Sequence, residues 1–351
     1  MPMMSGSARL ERHLWGEGMG HVKGTHMFKA AFFDIDGTLV GFKDHRVPAS
    51  AWRAIEALRA QGVKVMIATG RSPVEIAEEL REGFDCYITL NGQYCHDGEG
   101  VFREVRIDEA DVRAIVDGAQ EGLYDILLMQ HDRSMVNRLT PRIREVAEMV
   151  DLDYRVGDVV AAASEPVYQF NVFVDAADEH LFLDRTRGVE VTRWTDLFCD
   201  VVPCGGGKHL GVRAALERFG IAPEEAIAFG DGENDLSMFA EVGTSVAMGN
   251  AWDPVKERAT YVTTGVDDDG IWNACRQSRL GVEAGVRTWA RIGCGIARPR
   301  PAIALAWPLS ALRAGRRGRC PRTGCCGRRS RSRSGLPPRG RAPHRRRSAR
   351  R

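Results

Sequence analysis

The sequence has no run of the roughly 18–20 consecutive apolar residues that a membrane-spanning helix requires, and residues 1–27 lack the continuous apolar segment of a secretory signal. A cytoplasmic protein is expected. Paired cysteines are missing too. Cys86, Cys95, Cys199, Cys204 and Cys275 lie in the body and Cys294, Cys320, Cys325 and Cys326 near the C-terminus, neither set with a paired metal spacing. Isolated thiols in a reducing compartment are the expected state. Cys204, four residues before Lys208, lies near a candidate site and is read as structural. Lysine is absent beyond residue 276, and acid nearly so: residues 277–351 hold 21 Arg and a single acid, Glu283. Of the chain's 49 basic and 47 acidic residues, that leaves 28 and 46 in residues 1–276, so a net charge of +2 conceals a body at −18 and a tail at +20. An acidic body makes a poor nucleic-acid binder, because duplex affinity rests on neutralising phosphates.

What the body does contain is an apolar run, Lys29 to Phe33, that ends in Asp34-Ile35-Asp36-Gly37-Thr38. Alternate side chains of an extended strand share a face. Asp34 and Asp36 therefore project together while Ile35 turns into the core. Two aligned carboxylates can hold a divalent cation, and one can attack phosphorus. Alone the motif is a weak signal. Three more segments strengthen it, each at the end of an apolar run, where an open α/β sheet keeps its ligand crevice. Val65 to Ala68 leads into Thr69-Gly70-Arg71, Gly205 to Gly207 precede Lys208, and Ala226 to Phe229 lead into Gly230-Asp231-Gly232-Glu233-Asn234-Asp235.

In these four segments, and in Ala247 to Ala251, Lys256 and Asp267 to Ile271, the chain resembles the haloacid dehalogenase superfamily of aspartate-nucleophile phosphatases, and within it the Cof-type hydrolases of class IIB. The resemblance covers residues 28 to about 276. It implies an α/β fold: a Rossmann-like parallel-sheet core with an inserted α+β cap.

Periodicity gives the same rhythm. A strand to Phe33, a helix over 50–61, a strand at 63–68, a helix over 72–81 and a strand at 86–90 read as βαβ units. Only 32 residues separate Asp36 from Thr69, too few for a domain, whereas 136 separate Arg71 from Lys208. The expected organisation is a core of residues 27–90 and 203–276 with a cap at 91–202, hinged at Asn91-Gly92 and at Pro203 to Gly207. The cap offers strands at 100–106, 126–130, 167–174, 189–193 and 198–202, and helices near 109–120, 141–149 and 177–185. Residues 1–26 read as a disordered extension, with Met27 an alternative start, since the codons for Lys23-Gly24 can spell a ribosome-binding signal. Residues 277–351 read as a disordered Arg-rich tail. Two readings of it stay open, an RNA- or membrane-binding arm and an out-of-frame translation of GC-rich DNA; the second is favoured.

By resemblance Asp34 is the nucleophile, forming an aspartyl-phosphate, and Asp36 stands near enough to act as general acid and base. Two carboxylates and a phosphate repel one another without a cation, so Mg²⁺ is the expected cofactor. Its ligands are Asp34 and Asp231, with Asp36 through its backbone carbonyl by resemblance; Asp235 is either a ligand or a helix-start carboxylate. Thr69, Gly70, Lys208 and Asn234 supply donors to the phosphoryl oxygens. Arg71 either contacts phosphate or forms a salt bridge. The expected partner is a small phosphate ester, a sugar phosphate ahead of pyridoxal phosphate and flavin mononucleotide. Cap candidates for reading it are Gln93, Tyr94, His96, Gln130, His131, Arg133, Asn137 and Arg193, with Gln169 and Asn171 favoured because they alternate on one face of an apolar strand. Alternatives are a phosphomutase, disfavoured because the insert follows Thr69, and a non-catalytic sugar-phosphate or RNA binder, disfavoured because both Asp34 and Asp36 are present.

Overall fold

A computed structural model of the chain describes residues 28–277. The expectations for residues 1–26 and for the tail beyond Gln277 lie outside these residues.

Strand β1 (Ala30–Phe33) is buried on both faces, which is why its sequence is continuously apolar rather than alternating. Ala31 and Phe33 pack against the helices Ala49–Ala60 and Gly270–Gln277; Ala30 and Phe32 pack against the helix Lys208–Phe219. The further strands are β2 (Lys64–Ala68), β3 (Cys86–Thr89), β4 (Tyr94–Asp97), β5 (Gly100–Glu104), β6 (Asp125–Met129), β7 (Ser134–Val136), β8 (Gln169–Phe173), β9 (Val189–Thr195), β10 (Phe198–Pro203), β11 (Ala226–Gly230), β12 (Thr244–Ala247) and β13 (Tyr261–Val262). Eight of them form one sheet in the order β13-β12-β11-β1-β2-β3-β4-β5, parallel as far as β3. β1 sits centrally, between β11 and β2. Phe33 stacks on Phe229 across that join at 4.9 Å, a pairing worth about 0.5–1.5 kcal/mol beyond burial.

The other five strands form an antiparallel sheet, β7-β6-β8-β10-β9. One face of it is apolar: Phe170, Val172, Cys199 and Val201 pack with Val112, Ile115 and Val116 of the helix Glu109–Gln120.

Four expectations need correction. The hairpin of β4 and β5 extends the core sheet, because β4 pairs with β3 through four residues, so the cap begins after Glu104 and not at 91. Asn91-Gly92 is consequently no crossing hinge but a tight turn, with Leu90, Asn91 and Gly92 all at positive φ (53°, 52° and 86°). A Cβ at position 92 would stand 2.5 Å from the Gly207 carbonyl oxygen, so only glycine fits there. Residues 72–81 form two short 3₁₀ turns, Pro73–Glu75 and Glu78–Leu80, instead of a helix. The carbonyls a helix would use are taken by side chains, Glu75 by Arg71 and Ile76 by Arg81. The helix expected over 177–185 is likewise reduced to a 3₁₀ turn, Ala176–Asp178, and one α-turn, His180–Leu183.

Candidate active site

The carboxyl ends of β1, β2 and β11 meet where the sheet order reverses, and the first side chain past β1 is Asp34. The turn behind it needs Gly37, whose φ is +77° and whose Cβ would fall on the Asp231 carboxylate. Thr38 Oγ1 donates to Asp231 Oδ1 at 2.8 Å. Lys208 opens its helix fully buried, and its Nζ donates to Asp34 Oδ1 at 2.5 Å and to Asp235 Oδ1 at 2.7 Å. Burial pulls the ammonium down, but Asp235 and Asp34 outweigh this and raise its pKa. The other oxygen of Asp235 accepts from the Asp231 and Gly232 amides, each at 2.9 Å. Asp235 therefore anchors both the loop and the lysine.

Carboxylate oxygens of Asp34, Asp231 and Asp235 lie within 4.8 Å of one another. Burial, with the neighbouring carboxylates, pushes Asp34 up to about 7 despite Lys208 and raises Asp231 well above the usual carboxylate range. When all three ionise, one lysine leaves two negative charges uncompensated in a dry site, a cost of several kcal/mol per ion. A hard divalent cation fits this donor set.

Asp36 takes a different partner. Arg71 Nε donates to its Oδ2 at 2.8 Å and a terminal nitrogen to its Oδ1 at 2.6 Å, while the rest of the guanidinium reaches the carbonyls of Glu75 and, from the cap, Val150, both at 2.9 Å. Of the two readings for Arg71, this is the salt bridge. Thr69 is buried and its hydroxyl accepts from the Arg71 amide at 3.1 Å.

Above these groups the cap covers a narrow, half-open crevice with an internal volume of about 50 Å³. Asp34, Asp36, Thr69, Gly70, Asn234 and Asp231 line its core side, with Gln169 and Asn171 opposite. Of the cap candidates these two alone line it. Gln130, Asn137 and Arg193 are occupied within the cap, by carbonyls, Asp125 and Glu179. Tyr94, His96 and His131 belong to a separate stack of rings. Cys204 is exposed and no part of the lining.

Among the polar residues that escaped sequence reasoning, two join cap to core. Asp200, on β10, faces Asn171 directly across the antiparallel pair. Its carboxylate accepts from the side-chain amides of Asn171, Gln169 (3.2 Å) and Asn91 (3.0 Å), and burial, only partly offset by Asn91, Lys208 and Asn171, pushes it up to about 7. Asn91 also donates to Gln169 Oε1 at 3.0 Å and accepts from Asn234 at 3.1 Å, so one amide ties cap to core. A lone acid in the apolar strand Phe198–Pro203 was the available signal for Asp200; for Asn91 it was an Asn-Gly at a strand end.

This geometry has counterparts in known proteins. Residues 31–275 match the model of the haloacid dehalogenase-like hydrolases. The chain belongs to that family. YkrA of Bacillus subtilis (strain 168), which is named as a phosphatase, is 34% identical over 254 residues, 72% of this chain and 98% of the relative. The solved structure of the class IIB sugar phosphatase BT4131 superposes with a TM-score of 0.67 at 35% identity, over 72% of this chain and 99% of that one. BT1666 of Bacteroides thetaiotaomicron does so at 0.66 and 32%, over 76% and 100%. This family member is an α/β, class IIB-type phosphoric monoester hydrolase. No helix among the described residues is long and apolar enough to cross a membrane.

Proposed function

We propose that the enzyme hydrolyses phosphate monoesters of small metabolites, sugar phosphates foremost, with Mg²⁺ and through an aspartyl-phosphate on Asp34. The observation that carries this reading is the base of the crevice, where three carboxylates gather within 4.8 Å and Lys208 holds Asp34. Asp34 and Asp231 would hold the ion, with the Asp36 carbonyl beside them; Asp235 is spent on Lys208 and two amides. When bound, the ion neutralises phosphoryl charge as a Lewis acid and orients the ester.

The residues of the chain divide the remaining work. A free oxygen of Asp34 attacks phosphorus in line, and Asp36 gives a proton to the departing ester oxygen. Water then attacks the phosphorus of phospho-Asp34 as Asp36 takes its proton, releasing inorganic phosphate and restoring the carboxylate. Thr69, the Gly70 amide, Asn234 and Lys208 meet the phosphoryl oxygens, a preorganised donor set that needs little rearrangement as charge develops. Arg71 holds Asp36 at the crevice wall. The sugar class draws support from the likeness to BT4131, itself described as a sugar phosphatase.

A phosphate-release screen over a metabolite panel, with and without Mg²⁺, tests the reading. Release from hexose phosphates that requires the metal is expected. No release from any ester, or equal release with a chelator present, would overturn it.

A further inference from the structure

The leaving-group half of the crevice is lined by acceptors. Asp200 uses three of its roughly four acceptor positions on Asn91, Gln169 and Asn171, leaving one on the oxygen that Asn91 touches. Glu75 also lines the crevice, but its carboxyl is turned inward: Oε2 takes the Ser72 amide at 2.9 Å, Oε1 is buried, and the Ser134 and Ser72 hydroxyls hydrogen-bond the group. Among the described residues the lining holds a single cation, Arg71, and both Asp36 oxygens and two carbonyls already occupy it. Val150, Leu152 and Trp194 also line the crevice, a surface for C–H groups.

We propose that Asp200 selects esters whose leaving group is an uncharged polyol, and that the crevice rejects those that bring a second anionic group. A hydroxyl of such a polyol donates to the open oxygen of Asp200 while its carbon face lies on the apolar wall. A second phosphate or a carboxylate would find acceptors of its own sign and no free cation. The inference rests on the phosphatase reading and sharpens it, because the phosphate end is common to both kinds of ester and the discrimination lies wholly in the leaving group.

The test compares specificity constants for a hexose 6-phosphate, the matching hexose 1,6-bisphosphate and a 6-phosphoaldonate, at about pH 8, where Asp200, raised to about 7, is ionised. The parent enzyme should prefer the neutral-polyol ester by at least about tenfold, roughly 1.4 kcal/mol. Asp200→Asn, which puts a donor where an acceptor stood, should narrow that ratio at least about threefold, with the change in KM rather than in turnover of a small aryl phosphate. Equal or better use of the dianionic-tailed esters by the parent would overturn the inference, and so would a variant that lowers all esters by one factor. The parent comparison needs no variant to fold. Failure to hydrolyse any ester would instead sink the phosphatase reading itself.

Discussion

The two walls of the crevice are built by different means. On the core wall each working side chain leaves the carboxyl end of a parallel strand or opens a helix, and charge meets charge: Asp34 and Asp235 on Lys208, Asp36 on Arg71. On the cap wall the polar groups sit on an antiparallel sheet, and apart from Asp200 they are amides that donate to its carboxylate. A charge-dense wall suits an invariant task, binding and splitting a phosphate. An amide network around one carboxyl can be rewired residue by residue, which suits a wall that chooses the rest of the substrate. Asn91, held by a strained turn on the core and bonded to Gln169, Asp200 and Asn234, is where the two meet.

If that division holds, damage to the core wall is large and indifferent to substrate. Asp34→Asn should lower turnover at least about a thousandfold on para-nitrophenyl phosphate and hexose phosphates alike, since an amide cannot attack phosphorus; retention within about tenfold would break the comparison on its stronger side. Lys208→Met should come next. It leaves Asp34 and Asp235 buried without their cation, a loss of about 3–5 kcal/mol in stability besides activity, read by denaturant unfolding of the metal-free protein. A loss no greater than that from cutting the exposed Arg213–Glu241 pair would show that the lysine is not bearing the cluster's charge.

The same cluster predicts how the metal acts on stability. The folded value of Asp34, about 7, lies above the ordinary value of 3.8, so its contribution to the metal-free fold is full below about pH 4 and lost as pH rises through about 7, and the raised Asp231 acts in the same direction. On the proposed reading Mg²⁺ would bind the ionised carboxylates. Its stabilisation should therefore be larger at about pH 8 than at about pH 5, as a shift in melting temperature; the reverse order would contradict the assigned ligands.

The core wall was legible in the sequence because its residues sit beside local signals, an apolar run and then Asp-x-Asp-Gly-Thr, Thr-Gly-Arg or Gly-Asp. Lys208 could be placed from the Gly triplet alone. The cap wall was half legible. Alternation put Gln169 and Asn171 on one face, but their partner Asp200 depends on the register of β8 against β10, which no local pattern encodes. The 72–81 segment misled for the opposite reason: its helical periodicity is real, yet Arg71 and Arg81 take the carbonyls a helix would need.

The smallest expected effect concerns the amides. Gln169→Ala with Asn171→Ala removes two of Asp200's three donors, and the specificity constant for the best natural ester should fall about tenfold while para-nitrophenyl phosphate changes by less than about threefold. An unchanged ranking of natural esters would remove the pair from substrate selection; an equal loss on both kinds of ester would move it to the phosphate wall.

The central claim is that Asp34 itself carries the phosphoryl group, and isotope labelling tests it most directly. In a single turnover with enzyme in excess, run in ¹⁸O water, hydrolysis at the phosphorus of phospho-Asp34 places solvent oxygen in the released phosphate and none in Asp34. With Mg²⁺ and a rapid acid quench, the peptide containing Asp34 should carry a phosphoryl mass before product release is complete. Labelled phosphate with that peptide phosphorylated is the predicted result; labelled phosphate with no phosphorylated peptide at any quench time, in an enzyme that turns over, would mean that water attacks the ester directly and would contradict the account.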